Sequence, residues 1–275
     1  MVKMIRKYVC FLQDLWLMNH YILMGVDQTL GMGASLNMTH ISTKSGWRNT
    51  ALVFGACCLV IGLPTFFLIA RYWLRFTSIE NAAWLFNLVY IVLVGVVVAW
   101  VMRLLRTENL TLADIGWRQP TRRLAIVLAI AFGIFWAGFG ISGYYYFNFI
   151  LRQTKGAMGL DQVNVLRLVA PLLGVIIAVG EEVICRGYVM SQLHRSGVPA
   201  WLQICISGFI FGFYHSLGNF SLQSFLPSVF FGLALAGLYI LGKRSLTPSI
   251  LAHGLINLLG EPFLVMSLLA GYAVR

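Results

Sequence analysis

Two adjacent carboxylates and two histidines sit where ionisable side chains do not belong, inside long apolar runs. Of nine acidic residues, Glu181 and Glu182 lie within such a run, and of five histidines, His215 and His253 do. An ionisable group in a bilayer costs several kcal/mol, roughly 3 on insertion scales, so its presence there points to function. Glu181-Glu182-Val183-Ile184-Cys185-Arg186 reads EExxxR. Glu182 and Arg186 are i,i+4 neighbours and can pair on one helix face. Glu181 points about 100° away from Glu182, free to face a cavity. Phe211-Gly212-Phe213-Tyr214-His215 reads FxxxH, and His253-Gly254-Leu255-Ile256-Asn257 reads HxxxN, with His253 and Asn257 on one face. Glu261 continues that stripe, but Pro262 places it at a helix end.

Carboxylates, imidazoles and an amide in one low-dielectric cavity can do hydrolysis. A desolvated carboxylate serves as general base for water, and fixed donors stabilise an oxyanion. No serine elbow is present, and Cys185 has no evident activating base, so attack by water is favoured over a covalent route. Metal hydrolysis competes, since Glu181, His215 and His253 offer two imidazoles and a carboxylate for zinc, with a position left open. Asn257 is a poor zinc ligand and a good oxyanion donor, which favours the metal-free version. Taken singly, each residue has a plainer explanation, because a lone buried histidine more often bonds between helices than catalyses, and Glu182 with Arg186 can simply lock a helix.

The three patterns in this order resemble the signature of the CAAX-protease and bacteriocin-processing (CPBP, or Abi) family. The segment Leu112-Ala113-Asp114-Ile115-Gly116-Trp117-Arg118-Gln119-Pro120 also resembles a short stretch that often precedes that family's core, so the likeness covers about 110–260. It implies an intramembrane endopeptidase similar to the CAAX prenyl endopeptidases. In it, Glu181 with His215 would activate water, His253 and Asn257 would form the oxyanion hole, and Glu182 with Arg186 would orient the site from behind. No cofactor is implied, zinc being the alternative. Two other functions compete: a non-catalytic immunity or scaffold protein of the same fold, and a transporter using Glu181 and the histidines as a proton relay. No inverted repeat or matched pair of broken helices supports the transporter.

The elements that must position these groups are membrane helices. The 275 residues are 59% hydrophobic and 11% charged, against about 25% charged in soluble domains. The fold expected is all-α, a polytopic transmembrane bundle of about 7–8 helices around an intramembrane polar cavity. Spans are expected near 51–70, 82–102, 124–150 (ending in Tyr144, Tyr145 and Tyr146), 168–190, 200–218, 224–242 and 246–259, with a short one at 262–274. Residues 1–50 form an N-terminal extension, read either as an interfacial helix or as a misassigned start with Met38 as initiator. The transmembrane domain is 51–275.

The net charge of +11 does not point to nucleic acid, because the basic residues fill gaps between apolar runs rather than a stripe. If every span crosses, most of them share the N-terminal side, against Arg71, Arg75, Arg152, Lys155 and Arg167 opposite. The positive-inside rule then puts the N-terminus in the cytoplasm, in a bacterial inner membrane. The expected partners are the lipid bilayer and a secreted peptide or membrane-protein substrate. Cys10, Cys57, Cys58, Cys185 and Cys205 show no metal spacing and read as small hydrophobes. One conflict remains between spans and site. His215 falls about sixteen residues from the cytoplasmic end of its span, and Glu181 and His253 fewer than ten. A single site requires a boundary to move by about a turn.

Overall fold

The computed structural model describes residues 43–63, 79–145, 165–219 and 222–259. Most of the 1–50 extension, Cys10, Tyr146, Glu261 and the expected last span lie outside them. The described residues are helical, without a strand: α1 (Thr43–Ala56), α2 (Ile79–Thr107), α3 (Arg123–Tyr145), α4 (Val165–Glu182), α5 (Met190–Arg195), α6 (Ala200–Asn219), α7 (Leu222–Leu241) and α8 (Leu246–Leu259). Two π-helical stretches interrupt the α geometry. Cys57–Gly62 prolongs α1, and Val183–Val189 joins α4 to α5 without a break in the helical path.

Among the described residues three segments are long and apolar enough to cross a bilayer, Leu88–Thr107, Arg123–Gly140 and Ala200–Leu217, and Phe225–Leu241 and Leu246–Leu259 are shorter apolar helices. Apolar side chains on α3 (Leu124, Val127, Ile134, Phe135 and Phe139) and on α2 (Leu88, Val92 and Val96) face outward. That is the arrangement of a bundle whose solvent is lipid. The chain is an all-helical membrane protein. Cys57, Cys58, Cys185 and Cys205 are free.

Small residues let the helices close. A Cβ on Gly212 of α6 would lie 2.7 Å from the backbone nitrogen of Val229, and one on Gly232 of α7 would lie 3.0 Å from the backbone of Gly208. The Gly208/Gly212 pair is thus the seam between α6 and α7, where van der Waals contact between backbones replaces the hydrophobic drive that lipid removes. Likewise Gly133 of α3 receives Leu255, and Gly174 of α4 receives Asn257, both from α8. Gly180 of α4 receives Val94 of α2.

The connection after α2 is folded onto the α7–α8 turn rather than free. Leu246 N–H donates to Gly116 O at 2.8 Å, Ser245 Oγ to Arg118 O at 2.5 Å, and Arg118 Nη2 to Lys243 O at 2.9 Å. Gly116 is held at φ 100°, a conformation costly for any residue with a Cβ. Nearby, Glu108 collects donors from three elements. Asn49 Nδ2 (3.0 Å), Tyr188 Oη (2.8 Å), Gln192 Nε2 (2.5 Å) and Arg195 Nη1 (2.9 Å) all reach its carboxylate.

The helix ends differ from the expected span ends most in one place, and it is not the one at His215. The helical path of α4 continues through the π-helical stretch and α5 to Arg195, past the expected span end near 190. Glu181 then lies fourteen residues from that end, almost level with His215, fifteen residues beyond Ala200. His253 is only seven residues into α8. Ser245 and the first turn of α8, Leu246 and Ser249, are buried, and His253 meets both glutamates from there.

Candidate active site

The site is built on the junction between α4 and the π-helical stretch. Glu182 and Arg186 form an ion pair, Nη1 to Oε1 at 2.8 Å, with both side chains fully buried. Arg186 Nη2 donates to Gly232 O at 2.8 Å, and the guanidinium stands over the Phe211 ring at 4.6 Å. A buried pair recovers its desolvation cost only when such further partners are supplied. Glu182 Oε1 has a second partner, His253 Nδ1, at 2.9 Å.

His253 therefore spans the two consecutive glutamates with its two ring nitrogens. Facing a carboxylate already paired to arginine, Nδ1 carries a proton. Nε2 then points to Glu181 Oε2, 3.6 Å away. Phe211 and Phe231 pack edge-on against the ring at 5.6 and 5.1 Å, which leaves the imidazole little freedom to turn.

His215 reaches the other oxygen of Glu181. Its Nδ1 lies 2.8 Å from Phe211 O one turn earlier, so Nδ1–H donates to that carbonyl and Nε2 faces Glu181 Oε1 at 3.4 Å. The rings of Phe211 and Tyr214 lie 4.2 and 4.4 Å from the imidazole. Among these groups His215 is the accessible one, its side chain 28% exposed against 2% for Glu181 and 4% for His253.

Glu181 is not the lone carboxylate that the sequence suggests. Tyr90 Oη of α2 donates to its Oε1 at 2.8 Å, and Tyr214 Oη of α6 donates to the same oxygen at 3.1 Å. Sequence reasoning missed both tyrosines. The available signal was a phenol in the middle of the apolar run Leu88-Val89-Tyr90-Ile91-Val92, since a buried tyrosine hydroxyl needs a partner.

Asn257 stands one turn beyond His253, and its Nδ2 donates to Gly174 O at 2.8 Å, which ties α8 to α4. A side-chain amide has two N–H groups, so this contact leaves one for another acceptor. Glu181, Glu182, Arg186, His215 and His253 are thus gathered, and Asn257 adjoins them. Glu181 Oε1 already accepts two phenolic hydrogens, and among the described residues no group of three or more His, Cys, Asp or Glu side chains is placed to hold an ion.

Glu181, Glu182 and Arg186 together leave one negative charge when ionised. Such a site can take a proton from a bound molecule and return it.

A family model described as type II CAAX prenyl endopeptidase Rce1-like matches residues 163–259, a stretch holding every site residue above except Tyr90. No curated protein and no solved structure matches the chain.

Proposed function

We propose, from the membership of residues 163–259 in the Rce1-like CAAX prenyl endopeptidase family, that the chain is a membrane endopeptidase whose general base is Glu181. The observation that carries this is one buried carboxylate faced by two imidazoles, His215 on Oε1 and His253 on Oε2. A water oxygen held by Glu181 and His215 loses a proton to Glu181 as it attacks the scissile carbonyl carbon. The C=O electron pair moves onto oxygen, which accepts hydrogen bonds from the second N–H of Asn257 and, once His253 carries a proton on Nε2 as well, from that imidazole. Collapse of the tetrahedral species breaks the C–N bond, and Glu181 returns its proton to the departing amine. Glu182 and Arg186 fix His253 from behind.

The substrate class is a membrane-associated or secreted peptide that reaches the cluster past His215, its exposed member. Arg118, Arg195, Lys243 and Arg244 gather around the α7–α8 turn and the start of α6. This supports a cytoplasmic placement of that end, in a bacterial inner membrane. The deciding experiment uses purified, detergent-solubilised protein and a substrate taken from membranes by comparing wild type with Glu181→Gln. Cleavage is lost in Glu181→Gln; a variant that still cleaves refutes the assignment of the base.

A further inference from the structure

We infer that Tyr90, which lies outside the matched stretch, is a positioning residue for Glu181 and, with Tyr214, selects which carboxylate oxygen takes the proton. The inference rests on the reading of Glu181 as the base. Both phenols donate to Oε1, at 2.8 and 3.1 Å. Two donors fill that oxygen's lone-pair directions, and they favour negative charge remaining on it. Oε2 is then the oxygen left to act. It lies 3.6 Å from His253 Nε2, beyond a direct hydrogen bond, so the imidazole does not occupy it.

The sequence delivers Tyr90 by a close helix approach. Tyr90 and Val94 are one turn apart on the same face of α2 and are both buried. Val94 sits on Gly180, where a Cβ would meet its Cγ1 at 2.6 Å. Gly180 is the residue before Glu181. The glycine that admits α2 and the carboxylate that receives its phenol are therefore neighbours in the chain. A helix that served only to fill lipid would have no use for a hydroxyl here, since a phenol without a partner is penalised in that setting. The consequence is that the catalytic centre is completed by a helix that the 163–259 match does not contain.

The test is infrared difference spectroscopy on the full chain in detergent, with Glu181→Gln as the reference that isolates the Glu181 carboxyl band. In Tyr90→Phe and in Tyr214→Phe the band moves to higher wavenumber, because a carboxyl that loses a hydrogen bond stiffens, and in the double variant it moves further. The two tyrosines come from different helices, so failure of one variant to fold leaves the other to decide. A band that keeps its wild-type position overturns the inference. Against a quenched fluorogenic peptide bearing a prenylated cysteine, kcat falls roughly tenfold in either variant with KM within about twofold. Wild-type kcat in both would also overturn it. Shifted bands alongside a Glu181→Gln protein that still cleaves would leave the phenol contacts intact and remove the proposed base, so the two failures are distinguishable.

Discussion

His253 places one ring nitrogen 2.9 Å from Glu182 and the other 3.6 Å from Glu181, so a single imidazole reads both members of the glutamate pair. Its orientation towards Glu181 depends on the proton that Glu182 holds at Nδ1. Glu182→Gln keeps the shape but offers either an amide N–H or a neutral carbonyl, and the tautomer is no longer imposed. We expect cleavage to fall by about 100-fold or more, in the range for loss of an orienting partner. Comparing kcat for Glu182→Gln and Glu182→Asp checks this, with partial activity returning in the aspartate variant.

The same carboxylate also holds Arg186, with both side chains fully buried. Removing one member leaves an unpaired buried charge, and the expected loss is about 3–5 kcal/mol. Arg186→Met should therefore unfold at a clearly lower temperature than wild type, and Arg186→Met with Glu182→Gln should recover much of the difference. Thermal unfolding in one detergent, followed by circular dichroism, measures both. A double variant no more stable than the single one would contradict the account of the pair.

Asn257 is assigned two tasks, a tie to Gly174 O and an oxyanion contact. Asn257→Ala separates them. If the second N–H serves the oxyanion, kcat drops roughly 100- to 1,000-fold while the melting temperature changes by the small amount due to one hydrogen bond. If the amide is only a helix tie, melting falls and kcat of the folded protein stays near wild type.

Gly212 sits at the closest approach of α6 and α7. A methyl group there collides with the backbone of Val229, 2.7 Å from its nitrogen, and backbone cannot step aside as a side chain can. Gly212→Ala should cost about 1–3 kcal/mol and displace His215, three residues further along α6. Reduced melting temperature together with reduced cleavage is expected. Gly237→Ala, where a Cβ meets nothing within 4 Å, should leave both unchanged.

Metal dependence has its own check. Prolonged dialysis against a strong zinc chelator should leave cleavage at its starting level, because the proposed chemistry uses Glu181 as the base and draws on no metal ion. Loss of activity with recovery on added zinc would replace the mechanism.

Features set by near neighbours in the chain were legible in the sequence. Glu182 and Arg186 are one turn apart, so their pairing follows from helix geometry, and Gly208 with Gly212 announces a close helix contact without naming α7. Long-range partners were not legible. Tyr90 looks like one more large side chain in an apolar run until Glu181, 91 residues away, is placed beside it. Asn257 bonds a backbone carbonyl at Gly174, and a carbonyl has no residue-type signature. Glu108 reads as a loop carboxylate because its partners Asn49, Tyr188, Gln192 and Arg195 come from separate elements. The end of span four was misjudged for a related reason. The polar run from Ser191 to Arg195 resembles an exit to water, yet Ser191, Gln192 and Arg195 are buried.

The π-helical stretch Val183–Val189 separates Glu181 and Glu182 from Gln192 and Arg195, which anchor to Glu108. A π turn holds one more residue than an α turn, so this stretch absorbs one residue between the two polar centres. Deleting a single residue from it, so that α geometry closes the gap, would leave the helix beyond it close to its present phase, because an α turn spans with one residue fewer what the π turn spans now. Gln192 and Arg195 would still face Glu108, and Glu181 and Glu182 would keep their places. The one additional residue is thus carried between the two polar centres without turning either away from its partners.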